Sequence, residues 1–317
     1  MNAWLRLIRW NNLLIILLTQ LLAWACVVLP VGYYTHVPLL LTPVNFACLC
    51  LSTILIAAAG YIINDYFDIR IDAINRPEKV VLETAIPRRM AIMLHSILNV
   101  VGLLLAGYVA RQAHHLDWLA LQATCTLLLW FYSTHFKRQF MTGNLVVALL
   151  TSLTIAALML YEPALHPYYT QRYFIHTPMF SAPNPVWLLG FYAFFAFMLT
   201  WMREIVKDME DFKGDEAEGC VTMPIRWGLQ RSMRFTQILC AVVVAPLVLV
   251  AIKLLLAGWL LLSGYTFFAI IIPVGIWGLF LQQQATSAHY HKASFWLKMI
   301  MVMGVGSLII YLLQAHA

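Results

Sequence analysis

Nine stretches of this chain, each uncharged at its centre, are long enough to cross a lipid bilayer, and no other feature limits its folding as much. A crossing needs about 20 mostly apolar residues, because the hydrocarbon core is about 30 Å thick and offers the backbone no water to pair with. A charge at the centre of such a segment costs about 2.5–3.5 kcal/mol. Cutting the 317-residue sequence at its charges and polar clusters leaves segments 13–31, 39–63, 90–110, 116–133, 143–161, 186–202, 235–252, 257–281 and 297–313. The composition agrees: 62% of residues are hydrophobic and 11% charged, under half the roughly 25% charged residues of a soluble domain. An ordinary water-soluble protein is excluded. The expected architecture is all-α, a polytopic bundle of nine transmembrane helices forming one domain over 1–317.

The net charge of +6 is better explained by topology than by nucleic acid, and no nucleic-acid partner is expected. With the N-terminus inside, 17 of the 20 lysines and arginines fall in cytoplasmic segments, and only Arg111, Arg172 and Lys253 fall outside. Such a bias fixes orientation in membrane proteins. The expectation is an integral, multi-pass protein of a bacterial or archaeal-type plasma membrane. The apolar run that follows Arg6 and Arg9 is longer than the 7–15 residues usual in a signal peptide, so it is read as the first span. Six cysteines form no CxxC pair or zinc-type spacing, and five lie in apolar runs as small hydrophobes. The outside segment 162–185 is rich in Pro, Tyr and His and suggests no role.

Twelve of the 14 acidic residues also fall inside, which the positive-charge bias does not require. They concentrate in two loops, one after the second span and one after the sixth. In the first, Asn64, Asp68 and Asp72 stand at i, i+4 and i+8 and share one face if the helix continues, with Asp65 beside them. In the second, Glu204, Asp208, Asp211 and Asp215 share a face, although Gly214 is a point where the helix could end. Carboxylates stacked at this spacing repel one another and need a neutralising partner. An all-oxygen set without His or Cys suits Mg2+, which is commonly held by a few carboxylates while it bridges to phosphates. Arg76, in an Asn-Arg-Pro turn four residues past Asp72, is placed to grip phosphate oxygens. The recurrence of an acidic loop four helices later suggests that the second half of the chain echoes the first.

The run Asn64-Asp65-x-x-Asp68-x-x-x-Asp72 with Asn75-Arg76-Pro77, and the second aspartate-rich run after the sixth span, resemble the UbiA superfamily of intramembrane prenyltransferases. The resemblance extends to Tyr132 and Lys137 between the fourth and fifth spans and to Gly143-Asn144 opening the fifth. It implies a helical bundle around a central cavity, with two pseudo-equivalent halves that each carry an aspartate motif. It also implies Mg2+ held by Asn64, Asp68, Asp72, Asp208, Asp211 and Asp215, and a diphosphate held by Arg76, Lys137 and Lys207. Tyr132 would lie near the reacting carbon, with Asp68, Asp72, Asp208 and Asp215 as the catalytic carboxylates and Asp65 behind them.

The activity implied is Mg2+-dependent transfer of a long isoprenyl chain from its diphosphate to a membrane-embedded or amphipathic acceptor, with diphosphate released by ionisation. No obligate protein partner is expected. The segment from Arg203 to Asp215, followed by Thr222-Met223-Pro224, resembles the branch that prenylates geranylgeranylglyceryl phosphate. Prenylation of an aromatic quinone precursor is the alternative acceptor chemistry, and Glu83-Thr84-Ala85, where the family commonly has Ser-Gly, leaves that choice open. A membrane ion transporter is the alternative of another class. It would carry its acids at mid-span, whereas Asp68 and Asp208 fall at helix ends.

Overall fold

The computed structural model describes residues 3–165, 184–281 and 286–315. Nine long helices organise the described residues: α1 (Trp10–Tyr34), α2 (Pro43–Asn75), α3 (Arg88–Gln112), α4 (Leu119–Thr134), α5 (Thr142–Leu160), α6 (Pro185–Glu210), α7 (Leu229–Leu256), α8 (Leu260–Phe280) and α9 (Ser287–Ala315). Among the described residues no strand forms, only an isolated bridge between Leu82 and Ile86. The greater part of segment 162–185 lies outside the described residues.

Eight of these helices are long and apolar enough to span a bilayer, where the sequence suggested nine. The exception is α4, expected over 116–133. Residues Leu116–Trp118 form a 3-10 turn, leaving a 16-residue α-helix about 24 Å long, short of the hydrocarbon thickness. Its two ends nonetheless meet opposite ends of the bundle. At its start the Trp118 carbonyl accepts from the Tyr161 hydroxyl beyond the end of α5, and just past its end Lys137 pairs with Asp68 on α2.

Local chemistry explains where the helices begin. Thr42 caps α2 by accepting from Asn45 N, and Asn184 caps α6 by accepting from Val186 N at 2.9 Å. A proline follows each cap at the first helical position, where its missing N–H costs nothing. Small residues let helices approach where no hydrophobic effect drives them together. Gly102 of α3 lies under Ile56 of α2, and the Ser52 hydroxyl donates to the Gly102 carbonyl at 2.7 Å.

Two π turns, Trp24–Val28 in α1 and Thr266–Ile271 in α8, each end two residues before a proline, Pro30 and Pro273. A proline ring collides with the carbonyl four residues back and supplies no N–H, and widening the preceding turn relieves both problems. At the end opposite the aspartates, Glu162 is buried and accepts from the N–H groups of Leu41 at 2.8 Å and Ala164 at 3.1 Å. Burial pushes its carboxyl above the usual carboxylate range while these hydrogen bonds pull it back.

Candidate active site

Helix α2 continues through Asn75, so Asn64, Asp68 and Asp72 do share a face, and that face lines a cavity of about 690 Å3. Helix α6 stops at Glu210. The chain turns at Asp211 and restarts as a short helix, Phe212–Ala217, which carries Asp215 to the same cavity. The break falls at Asp211 rather than at Gly214. Gly214 instead lets the segment approach α2, because a Cβ there would lie 2.7 Å from Asn75 Cγ.

Asn75 latches the two motifs together. Its Nδ2 donates to the Asp211 carbonyl at 3.1 Å and its Oδ1 accepts from Gly214 N at 2.9 Å. Arg76 adds charge to the latch, reaching Asp211 at 2.6 Å and Glu210 at 2.9 Å. Its backbone, at φ −153° and ψ 63°, has left the helical region that the following proline disfavours, which turns the guanidinium from the end of α2 toward α6.

Every residue singled out for metal, Asn64, Asp68, Asp72, Asp208, Asp211 and Asp215, lines the cavity. So do Arg76, Lys137, Lys207 and the half-buried Tyr132. Lys137 forms an ion pair with Asp68, and Gly143 permits the 3-10 turn that holds it, since a Cβ there would lie 2.7 Å from Lys137 Cα. Lys207 pairs with Glu204 at 2.9 Å, so Glu204 serves the two cations Arg203 and Lys207. Asn144 donates to Asp208 at 2.8 Å.

The ion pairs divide the carboxylates. Asp65, Asp68, Glu204 and Asp211 each have a cation within 4 Å, whereas Asp72, Asp208 and Asp215 have none among the described residues. The Asn64 Oδ1 atom, buried in the same wall, has no hydrogen-bond donor. Burial and then the charges of Asp211 and Asp68 push the Asp215 carboxyl up to about 7, with Lys137 opposing. Burial likewise raises Asp211, against the pull of Arg76. Cys220 lines the cavity too, but burial pushes its thiol up to about 11, so it stays protonated and unreactive.

These observations fit a divalent cation. An orphaned amide oxygen and three unpaired carboxylates are hard oxygen donors, the set Mg2+ prefers. Among the described residues no three acidic, His or Cys side chains form a ready-made cage. That suits an ion held by one or two carboxylates from each motif and completed by phosphate oxygens.

Below the polar mouth the cavity becomes apolar between α2, α4 and α5, where Ile56, Leu129, Val147 and Leu150 form its wall. It extends along α4 from Tyr132 to Leu121, about 16 Å by helical rise. The site therefore joins an end that carries both carboxylates and cations to a long apolar slot.

Sequence reasoning missed several lining residues. Arg9, read as a topology determinant, pairs with Asp65 at 2.6 Å and lies over the Tyr61 ring. Asn12, Arg203 and Lys298 also line the cavity; Arg203 opens the second acidic run without having been given a role, and nothing in the local sequence marks Asn12 or Lys298. His289 and His291 do not form a metal site: His289 meets the Phe280 carbonyl, and His291 meets Glu210 at 2.8 Å.

Comparison with known proteins follows the same lines. A digeranylgeranylglyceryl phosphate synthase from Thermococcus sibiricus is 34% identical over 220 residues, covering 68% of this chain and 66% of that protein. Other curated relatives with that name are matched over 54–68% of their length. A solved structure of digeranylgeranylglyceryl phosphate synthase superposes with a TM-score of 0.61 at 22% identity, covering 99% of this chain and 97% of that one. A UbiA homolog from Archaeoglobus fulgidus bound to GPP and Mg2+ superposes with a TM-score of 0.56 at 15% identity, covering 97% of this chain and all of the other. The profile of the UbiA prenyltransferase family matches residues 21–304. The chain is therefore a member of the UbiA prenyltransferase family, with eight helices long and apolar enough to span a membrane.

Proposed function

We propose that this enzyme transfers a long isoprenyl chain, such as geranylgeranyl, from its diphosphate to a lipid acceptor of the geranylgeranylglyceryl phosphate type, as a single domain over 1–317. The N-terminus and both aspartate motifs would face the cytoplasm. The observation that carries the reading is the joining of two latched carboxylate motifs to an apolar slot within one cavity. Relatives at up to 35% identity that bear the synthase name support this acceptor class.

Arg76, Lys137 and Lys207 would hold the diphosphate, and Asn64, Asp68, Asp72, Asp208, Asp211 and Asp215 would hold Mg2+. When bound, Mg2+ supplies positive charge that neutralises the departing diphosphate. The allylic C–O bond breaks with both electrons leaving on that oxygen, and the fixed cations of Arg76 and Lys137 stabilise the charge as it develops. Tyr132, on the cavity wall beside the motifs, would present its ring to the allylic cation. The apolar walls between α2, α4 and α5 keep water from capturing that cation, so the acceptor hydroxyl oxygen forms the new C–O bond and its proton passes to the released diphosphate.

The test is to incubate purified protein with Mg2+, geranylgeranyl diphosphate and a panel of glyceryl-phosphate lipids and aromatic acids, following pyrophosphate release and products by mass spectrometry. A prenylated glyceryl-phosphate lipid is expected, and an Asp68→Ala, Asp208→Ala double variant should release no pyrophosphate. Activity retained in that variant, or prenylated aromatic acids alone, overturns the assignment.

A further inference from the structure

A second set of polar groups lines the cavity where α9 packs against α1 and α6. Lys298 donates from Nζ to Asn12 Oδ1 at 2.6 Å. Arg203 donates from Nη1 to Glu204 at 2.8 Å, but its Nε is buried and has no acceptor. Lys298 and Arg203 lie close enough for their like charges to act on each other. Among the described residues Glu204 is the one carboxylate within 4 Å of Arg203, none lies that near Lys298, and Glu204 is shared with Lys207. Two cations and an unsatisfied guanidinium N–H facing one space form a corner suited to an anion, and a guanidinium with an ammonium suits phosphate oxygens.

What lies below this corner narrows the ligand further. One helical turn along, Ile15 and Ile16 of α1 and Met301 of α9 line both the first cavity and a second, largely apolar cavity of about 630 Å3. The second cavity continues past Phe195 and Leu199 of α6 and Leu247 of α7. This route leaves α2 and α4 but keeps α5 as one wall, sharing Thr151 and Thr154 with the first cavity. The anion corner thus stands at the head of a second hydrocarbon compartment, which a flat aromatic acid would leave empty.

We propose that Asn12, Arg203 and Lys298 form the subsite for the anionic head of the acceptor, a phosphate-bearing amphiphile whose hydrocarbon chain passes between α1, α6 and α9 into the second cavity. This rests on the lipid-acceptor reading above and adds to it the residues that read the acceptor's charge. The two substrates would then place their heads side by side at the polar mouth and send their chains to opposite sides of the α1 and α5 residues that the two cavities share.

Initial rates with Mg2+ and geranylgeranyl diphosphate test this against a glycerol ether lipid phosphate and the same lipid without its phosphate. Lys298→Gln and Arg203→Gln should each raise KM for the phosphorylated lipid about tenfold or more. They should leave KM for the prenyl diphosphate unchanged and shrink the preference for the phosphorylated over the dephosphorylated lipid, and Lys298→Arg should restore it. Asn12→Asp, which places a carboxylate beside Lys298 without deleting a cation, is the second variant if the others yield little folded protein. It should raise the same KM. An unchanged acceptor KM in folded variants, or a rise in the prenyl diphosphate KM instead, overturns the subsite. Failure of the unaltered enzyme to prenylate the phosphorylated lipid would overturn the acceptor reading itself and the subsite with it.

Discussion

Removing the Asn75 side chain separates the contribution of the latch to fold from its contribution to chemistry. Asn75→Ala deletes two hydrogen bonds, to the Asp211 carbonyl and from Gly214 N. At about 0.5–1.5 kcal/mol net for each bond, the loss is about 1–3 kcal/mol, small enough to leave the bundle assembled. The activity should suffer far more. The latch fixes the gap between the carboxylates of α2 and those after α6, and a displacement of about 1 Å in such a constellation can cost about 100-fold in rate.

Gly214→Ala attacks the same contact from the other side, since its Cβ would lie 2.7 Å from Asn75 Cγ. Each single variant should therefore cost most of what the double variant costs, with a coupling energy of about 1–2 kcal/mol in a double-mutant cycle. Thermal unfolding in detergent reads the stability, and Mg2+-dependent pyrophosphate release reads the chemistry. Strictly additive losses, or activity that falls no further than stability implies, would refute the latch.

Gly143→Ala would bring a Cβ to 2.7 Å from Lys137 Cα and 3.0 Å from the Phe136 carbonyl, backbone atoms that cannot swing aside. Displacing Lys137 from Asp68 should lower kcat about 10- to 100-fold, and the backbone shift should also cost about 1–3 kcal/mol of stability, whereas an unchanged kcat in steady-state assays would refute its placement. Because Asp215 titrates near 7 rather than near 4, Mg2+ must displace its proton below that pH. Affinity should fall up to about tenfold per unit as pH drops below 7, with proton uptake by buffer visible in calorimetry, and a flat profile from pH about 5.5 to 7.5 would contradict it. Without Mg2+ the sign is opposite for stability. A raised carboxyl binds more protons folded than unfolded, so its contribution is present at acid pH and lost as pH rises through about 7.

The parts of this site legible in sequence are those written in short-range spacing. Asn64, Asp68 and Asp72 declare their common face because a helix repeats every 3.6 residues, and Arg76 is fixed by the proline after it. Asp211 and Asp215 reach the cavity by a break and a restart, which helical spacing alone does not describe, although their proximity in sequence still marked them. Arg9, Asn12, Arg203 and Lys298 were not legible as site residues. Each stands at the flank of an apolar run, a pattern that equally serves orientation in the bilayer, and although Arg203 opens the second acidic run, only the meeting of α1, α6 and α9 brings these residues to one cavity. The short α4 was harder still, because its boundary lies in a 3-10 turn whose Leu, Asp and Trp carry no distinctive stop signal.

The π turn in α1 has a consequence for how that helix divides its labour. Each residue of a regular helix advances about 100° around the axis, so one additional residue in a wide turn rotates everything beyond it by about that angle. Asn12, Ile15 and Ile16, before the turn, line the cavities, whereas Cys26, Val27, Val28 and Val31, within and after it, are all sealed into the interior. The two ends of α1 are thus free to point in directions that a straight rod would tie together, and one helix can address a substrate at one membrane face while serving as a structural post at the other.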